Sequence, residues 1–363
     1  MNEQSSIGST DDKWEFWIDR GGTFTDVVAR QPGGEIIVHK LLSENPERYR
    51  DSSIQGIKDI LNLEQGESIP VSKIAAVKMG TTVATNALLE REGEPTLLVI
   101  TKGFGDALRI GYQNRPDLFA LNIELPQMLY CDVLEIEERI DAHGGVLTQM
   151  DDAKATSELQ NFYDHGIRSV AIVLMHGYRY HDHENRLAAI ARDIGFPQVS
   201  VSHDASPLMK LISRGDTTVV DAYLSPILSK YVNEVAEELQ GLDQHGGRLM
   251  FMQSSGGLTE SGFFQGKDAI LSGPAGGVVG MARVSENAGF EKVIGFDMGG
   301  TSTDVSHYDG EFEKAFETHV AGVRIRAPMM LIHTVAAGGG SILNFDGARY
   351  RIGPDSAGAF PGP

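Results

Sequence analysis

Cysteine is nearly absent from this chain: Cys131 is the single one in 363 residues. One thiol excludes an internal disulfide and fits a reducing compartment. Basic residues are also short, with 31 Lys and Arg against 50 Asp and Glu and a formal net charge of −19. That balance argues against a nucleic-acid partner and for a self-repelling protein. No apolar run approaches the length of about eighteen residues that a membrane-spanning helix needs, so no membrane partner is expected. Residues 1–13 lack both the basic amphipathic character of a transit peptide and the apolar core of a secretion signal. They read as a disordered tail, and the expected location is the cytosol. Two familiar phosphate motifs are missing as well: there is no Gly-x₄-Gly-Lys-Ser/Thr loop and no dinucleotide fingerprint leading straight into a helix.

What the chain does have is a repeat. Asp19-Arg-Gly-Gly-Thr-Phe-Thr-Asp-Val27 returns as Asp297-Met-Gly-Gly-Thr-Ser-Thr-Asp-Val305, identical at seven of nine positions. Each copy follows an apolar run and is followed by a strand, a glycine turn and another strand, so each glycine pair sits on a turn leaving a strand. Glycine lets backbone N–H groups approach an anion closely. Gly21, Gly22, Thr23 and Thr25 in one copy, and Gly299, Gly300, Thr301 and Thr303 in the other, therefore read as two jaws on one phosphate chain. Asp19 and Asp297, at the strand ends, are placed to hold Mg²⁺ or its water shell during phosphoryl transfer. A lone Asp-x-Gly-Gly is an ordinary tight turn; two in the same context favour a nucleotide-hydrolysing site.

Strand and helix patterns alternate along the rest, which implies an α/β fold. Helices are expected at 46–62, 83–90, 151–165 and 182–194, and strands at 74–79, 97–100, 133–138, 169–174 and 198–203. A long helical stretch over 213–240, bent at Pro226, reads as the connection between two lobes. The expected organisation is a first lobe over 14–212, a connecting segment over 213–244, and a second lobe over 245–363 that is too short to complete a core like the first. A helix over 278–288 follows Leu271-Ser-Gly-Pro-Ala-Gly-Gly277. The chain reads as the front part of a longer polypeptide.

The paired turns resemble the phosphate motifs of the ribonuclease H-like ATPases that include actin, heat-shock chaperones and sugar kinases. Several segments resemble the hydantoinase A and 5-oxoprolinase family more closely. They are Asp19 to Val27, Lys40-Leu-Leu-Ser-Glu44, Met79-Gly-Thr-Thr-Val-Ala-Thr-Asn-Ala-Leu-Leu89, Leu271 to Gly280, Gly295 to Ser306, and Thr334-Val-Ala-Ala-Gly-Gly-Gly-Ser341. The first two are more like the ATP-hydrolysing 5-oxoprolinases than the hydantoinases or carboxylase subunits. The resemblance implies duplicated actin-like lobes, the second incomplete. It implies ATP-dependent opening of 5-oxo-L-proline to L-glutamate in glutathione metabolism, with Mg²⁺ and often K⁺. A hydantoinase B-like half, fused or separate, would be the partner, in an assembly expected to be homo-oligomeric. The alternatives are an ATP-dependent hydantoinase or carboxylase subunit, and a nucleotide-binding module without activity of its own.

Several residues keep two readings. Asp26 and Asp304, seven positions past the first acids, either orient water or metal, Asp304 then being catalytic with Asp19 and Asp297, or bond their own turns. Arg20 could neutralise a phosphate, while Met298 is its apolar counterpart. Gly338, Gly339 and Gly340 either approach the nucleotide or pack. Thr81, Thr82 and Asn86 either meet substrate or cap a helix. His176 to Glu184 has ligand-type residues but no zinc spacing, which favours an exposed polar loop. Cys131, in an apolar stretch far from any histidine, reads as a buried structural thiol.

Overall fold

The computed structural model describes residues 12–64, 66–113, 119, 121–122, 127–300 and 302–357. The expected tail lies almost wholly outside them, as do Thr301 and the chain end. Three antiparallel strands come first: β1 (Trp14–Arg20), β2 (Phe24–Arg30) and β3 (Ile36–Leu42). Phe16, Ile18, Val27 and Ala29 are buried on one face, where α1 (Ser52–Ile60) lays Ile54, Ile57 and Ile60 against them. Asp51 starts that helix by accepting the Ile54 N–H. Next come β4 (Ile74–Thr81), parallel to β1, and α2 (Val83–Leu89).

The chain then builds a separate sheet. Its elements are β5 (Thr96–Thr101), α3 (Ala107–Ile110), β6 (Tyr130–Ile136), the short hairpin β7 (Arg139–Ile140) and β8 (Val146–Thr148), α4 (Asp152–Asp164), β9 (Ser169–Val173), α5 (Asp182–Ile194), β10 (Gln198–Val201) and α6 (Ser202–Ala205). Strands β10-β9-β5-β6 are all parallel. The two central strands, β5 and β9, are buried at every position, as the inner strands of a parallel sheet covered on both faces require.

Helix α7 (Leu211–Glu238) contains Pro226 and is buried nearly all round from Thr217 to Ser225. It packs on β9, β10, β5 and α2, so the expected connector is a central pillar between the two sheets. After it, β11 (Arg248–Met252) pairs in parallel with β4, and β12 (Leu258–Glu260) pairs with β11. The first sheet is thus ordered β12-β11-β4-β1-β2-β3. Residues 248–260, placed by sequence in the second lobe, complete the first sheet, because fully buried Phe251 needs the core beside Met79. The segment expected as a single lobe over 14–212 holds two sheets.

Helix α8 (Ser272–Asn287) starts six residues earlier than its pattern suggested, since Ser272 to Gly277 are themselves helical. Then follow β13 (Lys292–Met298), β14 (Thr303–Asp309), β15 (Lys314–Ala315), β16 (Thr318–Val320), β17 (Val323–Ile325), β18 (Met329–Met330), β19 (His333–Val335), β20 (Ser341–Phe345) and β21 (Tyr350–Ser356). Strands β13-β14-β19 form a three-stranded antiparallel sheet. Hairpin β16–β17 docks on α7, where Arg324 Nη1 meets Asp216 at 3.1 Å.

Burial pushes the Asp216 carboxyl up to about 7 despite Arg324. The folded chain therefore holds a proton that the unfolded chain releases near 3.8, so folding takes up a proton in between. This contribution to stability is fully present below the unfolded value and is lost as pH rises toward about 7. Urea unfolding should accordingly show a steeper fall in stability between about pH 4 and pH 7 for the parent than for Asp216→Asn. Parallel profiles would contradict the assignment.

Candidate phosphate-binding site

The two repeated segments fold into hairpins with one register. Asp19 lies opposite Asp26 across β1–β2, and Asp297 lies opposite Asp304 across β13–β14. Arg20 faces Thr25 just as Met298 faces Thr303. Each turn closes with the same bond: Gly21 N–H donates to Phe24 O at 3.1 Å, and Gly299 N–H donates to Ser302 O at 2.9 Å. The amides of Gly22, Thr23 and Gly300 meet no backbone acceptor among the described residues. A Cβ placed on Gly300 would stand 4.0 Å from the Thr23 hydroxyl, so the turns face each other.

Asp19 is open to solvent at the end of β1, beside the first turn. Its Oδ1 is wedged between glycines: a Cβ on Gly80 would sit 3.0 Å from it and one on Gly273 3.2 Å. Gly273 belongs to the first turn of α8, whose N-terminal end favours negative charge. Burial first, then the charges of Asp26 and Asp297, raise the Asp19 carboxyl above its ordinary value, while Lys40 opposes them. Burial also raises Asp304, against a hydrogen bond from Thr334. Among the described residues no three His, Cys, Asp or Glu side chains gather as a metal cage. Asp19 and Asp297 do supply the hard oxygens that suit Mg²⁺, which commonly keeps water and phosphate oxygens for the rest of its shell.

The strand alternation separates residues that the repeat had grouped. Thr25 is fully buried, bonded to the Ser43 hydroxyl at 3.0 Å and the Ser52 hydroxyl at 2.7 Å. Thr303 is buried in the same way and donates to Ala337 O at 2.6 Å. Both threonines brace their turns from behind, on the face opposite Asp26 and Asp304, because successive residues of a strand point to opposite faces. Arg20 follows the same rule. Its guanidinium lies over the Tyr231 ring, with Nε 3.8 Å from Asp51, on the face away from Asp19. Thr23 stays at the cleft, and Ser43 holds its carbonyl through a backbone N–H at 2.9 Å.

Gly338 to Gly340 pack on the second turn. The Gly339 and Gly340 amides donate to Gly299 O and Gly300 O, and the Gly338 amide donates to Ser341 Oγ. All three donors are taken, so this loop braces the turn where sequence favoured an approach to nucleotide. A Cβ on Gly338 would stand 2.6 Å from Gly299 O. Gly338→Ala should therefore displace the turn, at the usual overpacking cost of about 1–3 kcal/mol in stability, and weaken nucleotide binding. Unaltered affinity in a titration would show that the turn tolerates the shift.

Of the tentative substrate residues, Asn86 comes nearest, its Nδ2 3.8 Å from where a Gly22 Cβ would be. Thr82 spends its hydroxyl on Arg20 O, and buried Thr81 accepts the Val83 N–H and donates its amide to Ser272 Oγ. His183 and Glu184 turn inward, to Glu138 and His203, so this segment is not wholly the exposed polar loop expected there. Cys131 is exposed at the sheet edge, contrary to the buried thiol expected there. Partial desolvation raises its pKa, the opposite of an activated nucleophile.

Sequence reasoning missed Lys40 as a cleft residue. It lies opposite Asp26 on β3, and counting strand positions through the hairpin would have found it.

Comparison with known proteins supplies the relatives. Residues 15–195 match the hydantoinase/oxoprolinase N-terminal region, and residues 214–363 match hydantoinase/oxoprolinase. The chain is 45% identical to 5-oxoprolinase 1 of Arabidopsis thaliana over 97% of its own length and 30% of that protein's. It is 43% identical to the 5-oxoprolinase of Saccharomyces cerevisiae over 95% of its own length and 30% of that protein's. It thus spans about 30% of the length of these curated relatives. The ATP-dependent caprolactamase of Pseudomonas jessenii superposes with a TM-score of 0.80 at 30% identity, covering 96% of this chain and 52% of that one. An acetone carboxylase shares the fold, with a TM-score of 0.76 at 22% identity over 95% of this chain and 51% of that one. From its first strand to its last, this chain belongs to the hydantoinase/oxoprolinase family.

Proposed function

We propose that this chain is the triphosphate-gripping part of an ATP-dependent cyclic-amide hydrolase that opens 5-oxo-L-proline to L-glutamate. The observation that carries the reading is the common register of the two hairpins, which sets two glycine turns and two carboxylate pairs face to face. We read these halves as actin-like, ribonuclease H-like lobes, the second of them incomplete. Greater identity to 5-oxoprolinases than to the caprolactamase favours 5-oxoproline over larger lactams.

An unstrained lactam resists water, and phosphorylating its oxygen makes the ring carbon electrophilic. The γ-phosphoryl group passes from ATP to the lactam oxygen, leaving ADP. A first water adds to the ring carbon and the C–N bond opens to an acyl phosphate; a second water releases phosphate and the new carboxylate. The chain's part is to hold the phosphates in line. Gly22, Thr23 and Gly300 offer amides to the phosphate oxygens, and Gly21 and Gly299 shape the turns. When bound, Mg²⁺ would neutralise charge on the phosphates, with Asp19 and Asp297 the residues placed to hold it or its water. Asp304 faces Asp297 and would orient the attacking group. Asn86, beside the first turn, would meet the substrate.

Glutamate and ADP measured together from 5-oxo-L-proline and Mg-ATP test this, using this chain and the full-length polypeptide. Equal amounts of both products from the full-length protein support the reading. ATP hydrolysis coupled to a hydantoin or a ketone, with 5-oxoproline inert, would replace the substrate but leave the grip.

A further inference from the structure

We propose that Lys40 is the fixed cation of the triphosphate grip, held in place by Asp26, and that the two turns divide the positive charge between them. The first turn adds an ammonium group, and the divalent cation that Asp19 and Asp297 would hold is borne mainly on the side of the second. The inference rests on the phosphate-grip reading above.

Both hairpins extend into a three-strand row. In the first, Asp19, Asp26 and Lys40 lie side by side across β1, β2 and β3. In the second, Asp297, Asp304 and Thr334 lie side by side across β13, β14 and β19. The rows match at two positions and differ in charge at the third. Lys40 Nζ donates to both Asp26 oxygens, at 2.7 and 2.8 Å, and lies 5.2 Å from the centre of the Phe24 ring, so its third N–H has no hydrogen-bond acceptor among the described residues. Thr334 donates one neutral bond to Asp304 Oδ1 at 2.6 Å, and no donor to Asp304 Oδ2 is found among the described residues.

Asp26 is therefore committed to an ammonium group, while Asp304 keeps an oxygen for a cation or its water. The Lys40–Asp26 pair is about half exposed, with side chains 54% and 46% accessible. An exposed pair adds little to folding, so fold stability gives no account of why this geometry is held. A binding role does. Polyphosphate brings negative charge to a cleft that already holds Asp19, Asp26, Asp297 and Asp304, and Arg20 is turned to the other face. Lys40 stands on the Asp19 face, in the row that begins at the first turn. Its ammonium is a compact point charge that can reach a phosphate oxygen with its third N–H while Asp26 holds the other two.

The test is calorimetric titration of the full-length protein with ATP and with inorganic triphosphate, alongside Mn²⁺ binding followed by electron paramagnetic resonance. Lys40→Met should weaken both phosphate ligands about 10- to 100-fold, the range for a lost charge-assisted hydrogen bond. Its Mn²⁺ affinity in the nucleotide complex should stay within about twofold of the parent. Lys40→Arg should recover part of the loss, and Lys154→Met, a surface control, should bind both phosphate ligands as the parent does. Asp297→Asn should show the reverse pattern, with Mn²⁺ affinity falling about tenfold or more. Lys40→Met binding triphosphate as the parent does, or losing Mn²⁺ as Asp297→Asn does, would overturn the division. A parent that binds neither ATP nor triphosphate would sink the grip itself, a failure that reads differently from the other two.

Discussion

Asp297→Asn should lower ADP release by roughly a thousandfold or more, the scale of losing one preorganised electrostatic contact in phosphoryl transfer. The unfolding midpoint stays close to that of the parent. Asp297 is exposed at the end of β13, and asparagine has the same shape, so the hairpin keeps its packing. Removing this charge also relieves Asp19, whose carboxyl is raised in part by Asp297. Activity and stability should therefore separate cleanly. Steady-state ADP release and urea unfolding on the same preparation check both halves of the statement. Undiminished ADP release would mean that the second turn takes no part in the chemistry.

Arg214→Met should cost about 3–5 kcal/mol of stability, as removal of one member of a buried charged network does. Arg214 is fully buried. Its Nε donates to Ser202 Oγ at 2.8 Å, and its Nη1 donates to Leu208 O at 3.1 Å and Met209 O at 3.2 Å. Nη2 donates to Leu174 O at 2.5 Å. One side chain thus joins the ends of β9 and β10 to the start of α7. Methionine fills much of the volume but satisfies none of these acceptors, and it leaves buried Glu184 without its nearby positive charge. Equilibrium urea unfolding measures the loss; a change below about 1 kcal/mol would show that water or neighbouring donors replace the guanidinium.

The duplicated turns were legible because the same residue types recur at the same spacing, and local chemistry fixes their geometry. Period-2 alternation was equally available, and it decides which residues of the repeat face the cleft. It separates Asp19 and Asp26 from Arg20 and Thr25, yet the repeat invites all of them to be grouped together. Lys40 was hidden for a related reason: it joins the site through cross-strand register, not through proximity in sequence. The partition of the chain was less legible. Strand β11 reaches the first sheet from 167 residues beyond the end of β4, and no local signal marks such a return. Gly338 to Gly340 show a third limit. A glycine run signals close approach, but the sequence does not say whether to a ligand or to another turn; here it is to Gly299 and Gly300.

The most direct test of the two-turn grip is a crystal structure of the protein with Mg²⁺ and a non-hydrolysable ATP analogue. The account predicts the β- and γ-phosphates between Gly22–Thr23 and Gly300, with Asp297 on the metal side. A nucleotide held by one turn alone, or bound away from both, would contradict it.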